Sequence, residues 1–390
     1  MNPVSDVGVS AIPTPARVDA DAQGKAHPLR VRRLATRGFR NLADAQLEPG
    51  PRFNVVHGDN GHGKSNVLEA LHYLATLRSF RGASAAEMIR RGADEAQLGA
   101  SVEQGPIGHE FSLRLHTRSA REVRLDGRRP RSHASYRNAL PAVLFHPVDV
   151  QLVGGSPERR RALLDEMLEQ LDVTFATTAA AYERALRSRN RLLRSGAGDR
   201  RAITAYDEIL AAAGALIGQA RERLVVDLAP RVSSLFGEIG GDDGDDGELA
   251  LRYAPKVEPR VASLTRALAE ELERDCARGY TGVGPHADDL AISLAGAGAR
   301  RFASQGQQRA VALALKVAEL EALERRSGKV PMLLLDDVSS ELDRARNRRL
   351  FACLSRLGGQ VFLTTTHPEF ILLDEDRTDF HVRDGVVTRG

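Results

Sequence analysis

The stretch Gly58-Asp59-Asn60-Gly61-His62-Gly63-Lys64-Ser65 constrains this chain more than any other. It follows a short apolar run, Phe53 to His57. It precedes a segment, Ser65 to Leu77, in which Leu68, Leu71 and Leu74 or Ala75 recur at helical spacing. A strand, a glycine-rich turn and a helix in that order make a phosphate-binding loop of the pattern G-x-x-x-x-G-K-[ST]. Glycines let the backbone curl until its amides converge on phosphate oxygens, and the start of the helix adds positive potential. Lys64 is placed to neutralise the β- and γ-phosphates of a nucleotide such as ATP, and Ser65 to offer a hydroxyl to Mg2+. The loop alone does not separate kinases, GTPases and transport ATPases, which share it.

A second constraint is Pro331-Met332-Leu333-Leu334-Leu335-Asp336-Asp337, an apolar run ending in two acids. Strands buried in a parallel sheet read this way, and ligands bind at their carboxyl ends. Beside a phosphate-binding loop, Asp336 is expected to hold Mg2+ and Asp337 to orient or deprotonate the attacking water. Asp337 is shorter than the glutamate many ABC-type ATPases carry there, so hydrolysis is expected to be slow.

Ser304-Gln305-Gly306-Gln307-Gln308-Arg309 opens a run with Val311, Leu315 and Ala318 on one helical face. Ser304 is suited to cap that helix and Gly306 to allow close backbone approach, which makes the helix start an anion site. Ser340-Glu341-Leu342-Asp343 follows the acidic strand, and the apolar run Val361 to Thr364 leads into Thr365-Thr366-His367. In this order the elements resemble those of SMC-type ABC ATPases. Ser304, Gly306 and Gln307 stand at the signature and Asp343 in the D-loop. His367 stands at the switch position, with Thr366 as an alternative donor. In that class the signature meets the γ-phosphate held by a partner subunit, so the resemblance implies an ATP-dependent homodimer.

Further segments narrow the likeness. Arg37 to Leu42 is similar to the N-terminal turn of the RecF family, and Leu77-Arg78-Ser79-Phe80-Arg81 to its segment after the first helix. Gly155-Ser156-Pro157-Glu158-Arg159-Arg160-Arg161 with Leu164-Asp165 resembles its middle motif, which Tyr182, Leu186 and Arg189-Asn190 continue. Gly284-Pro285-His286-Ala287-Asp288-Asp289 is similar to its G-P-H-R-D-D segment. The resemblance runs from residue 29 to the end. Ala287 departs from the family's arginine, and Phe145 to Asp149 has no glutamine where an ABC protein carries its Q-loop.

The resemblance implies an α/β fold: a P-loop ABC-type ATPase head, mixed sheet plus helices, with an inserted helical lobe and no long coiled coil. It implies nucleotide contacts from Gly58, Asp59, Asn60, Gly61, His62, Gly63, Lys64, Ser65, Arg40 and Asn41. It also implies DNA with gaps or single-strand/double-strand junctions, the partners RecR and RecO, and assistance to RecA loading. The expected organisation is an extension over residues 1–28, disordered by its Ala, Pro and Asp content, then a first ATPase portion over 29–146. A helical lobe follows over 147–283, with breaks at Ser195 to Gly198 and in the acidic loop Gly240 to Gly247, and a second ATPase portion covers 284–390.

Composition adds little. The formal net charge is only +3, which does not by itself argue for nucleic acid. The distribution does: Arg121, Arg124, Arg128, Arg129, Arg131 and Arg137 cluster against Glu122 and Asp126. Cys276 and Cys353 read as packed, reduced thiols, and no Cys/His grouping suggests a metal. No long apolar run predicts a membrane span or signal peptide, so a cytoplasmic protein without a membrane partner is expected. A small-molecule kinase has no use for a signature or D-loop. A transporter subunit is disfavoured by the large split between loop and signature, and a nuclease of another SMC-like kind would need a further acidic domain.

Overall fold

The computed structural model describes residues 28–172, 174–195, 200–240, 247–338, 344–373 and 375–390. The expected disordered extension, the turn Ser340 to Asp343 and the interior of the Gly240 to Gly247 loop lie outside the described residues, apart from Pro28 and the loop's end glycines.

A mixed sheet forms the centre. Its strands are β3 (Phe53–His57), β7 (Ala142–Phe145), β11 (Met332–Leu335), β12 (Val361–Thr365), β13 (Arg377–Arg383) and β14 (Val386–Arg389), in the order β14-β13-β3-β12-β11-β7. All neighbours run parallel except the β13–β14 hairpin. Strands β7 and β11, and β12 as far as Leu363, read as unbroken apolar runs because both faces are covered. Leu333 and Leu335 enter one core with the helices of the inserted lobe, while Met332 and Leu334 enter another with α1 (Lys64–Thr76). The second core is closed by an antiparallel sheet, β2-β1-β4-β5-β6, built from β1 (Leu29–Arg37), β2 (Ala45–Leu47), β4 (Glu95–Gln104), β5 (Ile107–His116) and β6 (Glu122–Leu125). These strands are buried on one face, as β4 shows in its alternating burial pattern.

The inserted lobe contains the helices Pro157–Leu171, Phe175–Ser195 and Asp207–Gly240, followed by Val261–Glu270 and Leu272–Arg278. The long helix Asp207–Gly240 runs on through Pro230. It continues to Gly240 because Val232, Leu235, Phe236 and Ile239 are buried, and this packing outweighs the backbone hydrogen bond that proline removes. The junction expected between residues 283 and 284 separates β8 (Leu249–Ala254) from β9 (Asp289–Leu294), which pair in a small antiparallel sheet with β10 (Ala297–Gly298).

Two of the family-like motifs turn out to hold each other. Arg160 forks onto Asp289 at 2.7 and 2.9 Å, and Arg161 donates to the Asp288 carbonyl at 2.7 Å. Arg221 forks onto Asp165 and donates to the Pro285 carbonyl at 2.6 Å. His286 Nε2 lies 2.9 Å from the Thr281 carbonyl, which only accepts, so that nitrogen carries the proton. Nδ1 is then the acceptor for the Tyr182 hydroxyl at 2.6 Å, and burial holds the imidazole pKa below its ordinary value. Tyr182→Phe leaves that buried nitrogen without its donor. It should cost about 1–3 kcal/mol in denaturant unfolding, and an unchanged midpoint would show that the lobe does not rely on this contact.

Cys353 is buried as expected, but Cys276 is exposed. In its helix the inward position belongs to Asp275, fully buried against Arg189 at 2.8 Å, so an ion pair and not an apolar stripe defines the inner face.

Candidate functional site

The phosphate-binding loop joins β3 to α1. Gly58 has φ 144° and Gly63 has φ 116°, backbone conformations that favour glycine. A Cβ on Gly58 would meet the Val382 carbonyl at 2.3 Å, and one on Gly63 would meet Asn41 Oδ1 at 2.8 Å. Neighbouring segments brace the curl. Asn41 donates to the Gly61 carbonyl at 3.1 Å and accepts from Asn66 at 2.6 Å. At the β13–β14 turn, Asp384 N–H donates to His62 Nδ1 and Gly385 N–H to the His62 carbonyl, both at 2.9 Å. Asp59, Asn60 and Gly61 are exposed at the tip.

Lys64 is buried at the foot of the loop, where its Nζ donates to the Asp59 carbonyl at 2.9 Å and lies 3.4 Å from Asn60 Oδ1. Among the described residues no carboxylate lies within ion-pair distance of it. Burial pushes its pKa down, and the more distant charges of Asp337, Asp336 and Asp59 push it back up. A buried cation whose charge is felt by the two carboxylates at the end of β11 suits a phosphate with a divalent ion. The lysine, Ser65 at the start of α1 and the acids at the end of β11 therefore fit the group the motifs imply.

Asp336 is buried, and its Oδ1 accepts from Thr364 Oγ1 at 2.7 Å. Asp337 sits at φ 49°, a left-handed conformation that aspartate tolerates better than most residues, and its N–H donates to the same Thr364 oxygen at 3.0 Å. His367 follows β12, half exposed, with Nδ1 3.0 Å from Glu369 Oε1. Arg40 lies one step back from the loop: its guanidinium forks onto the buried Glu69 at 2.8 and 2.9 Å and donates to the Glu87 carbonyl. It thus steadies α1 beside the loop.

Ser304 opens the helix Gln305–Ser327 with a reciprocal cap: its Oγ accepts from Gln307 N–H at 3.2 Å, and Gln307 Oε1 accepts from Ser304 N–H at 2.8 Å. Ser304 and Gln305 are exposed, and the Arg346 guanidinium rests where a Gly306 side chain would be. Asp343 lies outside the described residues.

The basic segment wraps a groove of about 630 Å3 lined by Arg121, Arg124, Arg129, Arg131 and His133. A two-residue turn at Asp126 and Gly127, both at positive φ, carries Arg128 back beside Leu125. Arg124, Arg128, Arg129 and Arg131 are exposed. Arg121 is not free in the same way: it donates to the Tyr73 hydroxyl at 3.0 Å and the Leu77 carbonyl at 2.6 Å, and Arg137 pairs with Glu169 at 2.6 Å. Both of these expected DNA contacts thus already have partners on other elements.

Sequence reasoning missed the groups that hold the acids. Thr364 is a polar residue inside an apolar strand, and His146 directly follows the apolar strand β7; its Nε2 lies 3.6 Å from Asp336 Oδ2. Those were the available signals.

Known proteins share this arrangement. The model of the RecF/RecN/SMC N terminal domain matches residues 30–384. A DNA replication and repair protein RecF from Anaeromyxobacter sp. (strain Fw109-5) is 43% identical, over 91% of this chain and 98% of its own. That of Myxococcus xanthus (strain DK1622) is 40% identical, over 87% and 91%. A solved recombination mediator protein RecF with ATP, from the RecFOR pathway, superposes with a TM-score of 0.83 at 29% identity, covering 94% of this chain and 98% of that one. The Smc head domain of Pyrococcus furiosus shares the fold at a TM-score of 0.55 and 15% identity, over 93% and 96%. The α/β ATPase head expected from the motifs is the fold these structures have in common.

Proposed function

Because this chain belongs to the RecF family of DNA replication and repair proteins, we propose that it is an ATP-switched DNA clamp of recombinational repair. ATP and Mg2+ occupy the loop Gly58 to Ser65, with Lys64 on the phosphates, Ser65 and Asp336 toward the metal, and Asp337 on the attacking water. His367 senses the γ-phosphate. The helix start of Ser304, Gly306 and Gln307 meets the nucleotide of a second copy, so ATP closes a homodimer around two sites, with Asp343 at the same seam. Slow hydrolysis reopens it. The observation that carries this reading is a buried Lys64 within electrostatic reach of Asp336 and Asp337, in one fold with a helix that Ser304 caps.

The closed dimer binds DNA at gaps or junctions through Arg124, Arg128, Arg129 and Arg131, and works with RecO and RecR to assist RecA loading in the cytoplasm. The solved relative is itself a RecF of the RecFOR pathway, which supports that assignment. Phosphate contacts by these arginines give affinity without sequence preference. In anisotropy titrations of a gapped duplex with ATP present, log affinity should fall with log salt by about 0.9 per phosphate contact. Arg129→Ala with Arg131→Ala should flatten that slope by about 2. A complex indifferent to salt would place the DNA elsewhere. Ser304→Arg should leave ATP binding intact and abolish ATP-dependent dimerisation; dimers that form normally with this variant would remove the signature from the interface.

A further inference from the structure

The carboxylate of Asp336 is approached from both strands that flank it. From β12, Thr364 Oγ1 donates to Asp336 Oδ1 at 2.7 Å. From the end of β7, His146 places Nε2 3.6 Å from Asp336 Oδ2. β7 and β12 are the two neighbours of β11, so strand order alone brings these groups to the acid. The His146 ring is held in place. Its Nδ1 accepts from Val148 N–H at 3.2 Å, its backbone N–H donates to Asp149 Oδ2 at 2.8 Å, and its ring centroid lies 5.1 Å from that of Phe80, the two rings tilted by 51°. An Nδ1 that accepts carries no proton, so the ring proton sits on Nε2, the nitrogen that faces Asp336. A protonated nitrogen has no lone pair for a metal.

We propose that His146 is a positioning residue for the magnesium carboxylate. With nucleotide and Mg2+ bound, its Nε2–H donates to Asp336 Oδ2 and, with Thr364, fixes the plane of the carboxylate; His146 is not itself a metal ligand. At 3.6 Å the present contact is longer than a hydrogen bond, and closing it needs only the ring and carboxylate to turn toward each other. This inference rests on reading Asp336 as the carboxylate that serves Mg2+. Outer partners of this kind govern metal affinity by about 10–100-fold.

Two isosteres separate this role from a structural one. In His146→Gln the amide reaches the place of Nε2 and keeps a donor toward Asp336. In His146→Asn the side-chain oxygen takes the place of Nδ1, keeps the acceptor for Val148 N–H, and loses the donor. The readout is the Mg2+ concentration that half-saturates binding of a fluorescent ATP analogue, alongside its affinity in EDTA and the melting temperature. We expect the glutamine variant to match the wild type. The asparagine variant should need at least about tenfold more Mg2+, with EDTA affinity and melting temperature unchanged. A normal asparagine variant beside an impaired glutamine variant would reduce His146 to a turn cap. Two normal variants would make it idle, and two equally impaired ones would point to a role only the ring can fill; each overturns the proposal. Wild-type binding that ignores Mg2+ would instead defeat the metal reading of Asp336, whatever the variants do.

Discussion

Asp337→Asn should lower ATP hydrolysis at least about 100-fold, the ordinary contribution of a general base, while ATP affinity stays within a few-fold of the wild type. The substitution is conservative where it has to be. Asp337 adopts φ 49° and anchors its N–H on Thr364, and asparagine tolerates that conformation as well as aspartate does. The backbone of the turn therefore survives, and so does the neighbouring Asp336, whose bond from Thr364 is untouched. What disappears is the negative charge to which we assign the orientation and deprotonation of water. Asp337→Glu makes a useful contrast: it keeps the charge and lengthens the reach but strains the left-handed backbone by about 1 kcal/mol or more. Phosphate release measured beside titration of a fluorescent ATP analogue checks both. Hydrolysis within tenfold of the wild type in Asp337→Asn would mean that another group, such as His367, activates the water.

Arg189→Leu should destabilise the inserted lobe by about 3–5 kcal/mol. Arg189 is completely buried, with Nε on Asp207 at 2.9 Å and Nη1 on Asp275 and Thr281, both at 2.8 Å. Asp275 is equally buried. A leucine fills much of the volume but leaves Asp207 without its cation and Asp275 with Arg278 alone, at 3.1 Å, and the cost of such a deletion lies mainly in the stranded charges. Burial already raises the pKa of Asp207, and Arg189 is the group that opposes it. Denaturant unfolding should show a lower midpoint, and proteolysis should cut first within residues 157–295, which include this lobe's helices and β8 to β9. A loss below about 1 kcal/mol would mean that the buried triad is not what holds these helices together.

The parts of this protein that are local in sequence were legible from it. The phosphate-binding loop is a strand, a turn and a helix in succession, and its glycines mark backbone that other residues adopt at a cost. The strand before Asp336 reads as apolar throughout because Leu333 and Leu335 face one core while Met332 and Leu334 face the other. The Ser304 cap needs only its own helix. What escaped depends on contacts across the fold. His146 and Thr364 meet Asp336 only because β7 and β12 flank β11. Arg40, Arg121 and Arg137 look like free cations in the sequence, yet each finds a partner on another element: Glu69, the Leu77 carbonyl and Glu169. Cys276 sits among helical neighbours but points outward, because the inner face of that helix is set by Asp275 reaching Arg189. In each case a charge was satisfied by a tertiary partner that periodicity does not reveal.

The central claim is that ATP makes this chain a DNA-binding dimer. Light scattering of Asp337→Asn with ATP and Mg2+, with and without a gapped duplex, measures it directly. The account predicts the mass of a monomer without nucleotide, of a dimer with ATP, and of a dimer bound to the duplex when DNA is added. A protein that binds ATP yet keeps the mass of a monomer and ignores the duplex would contradict it.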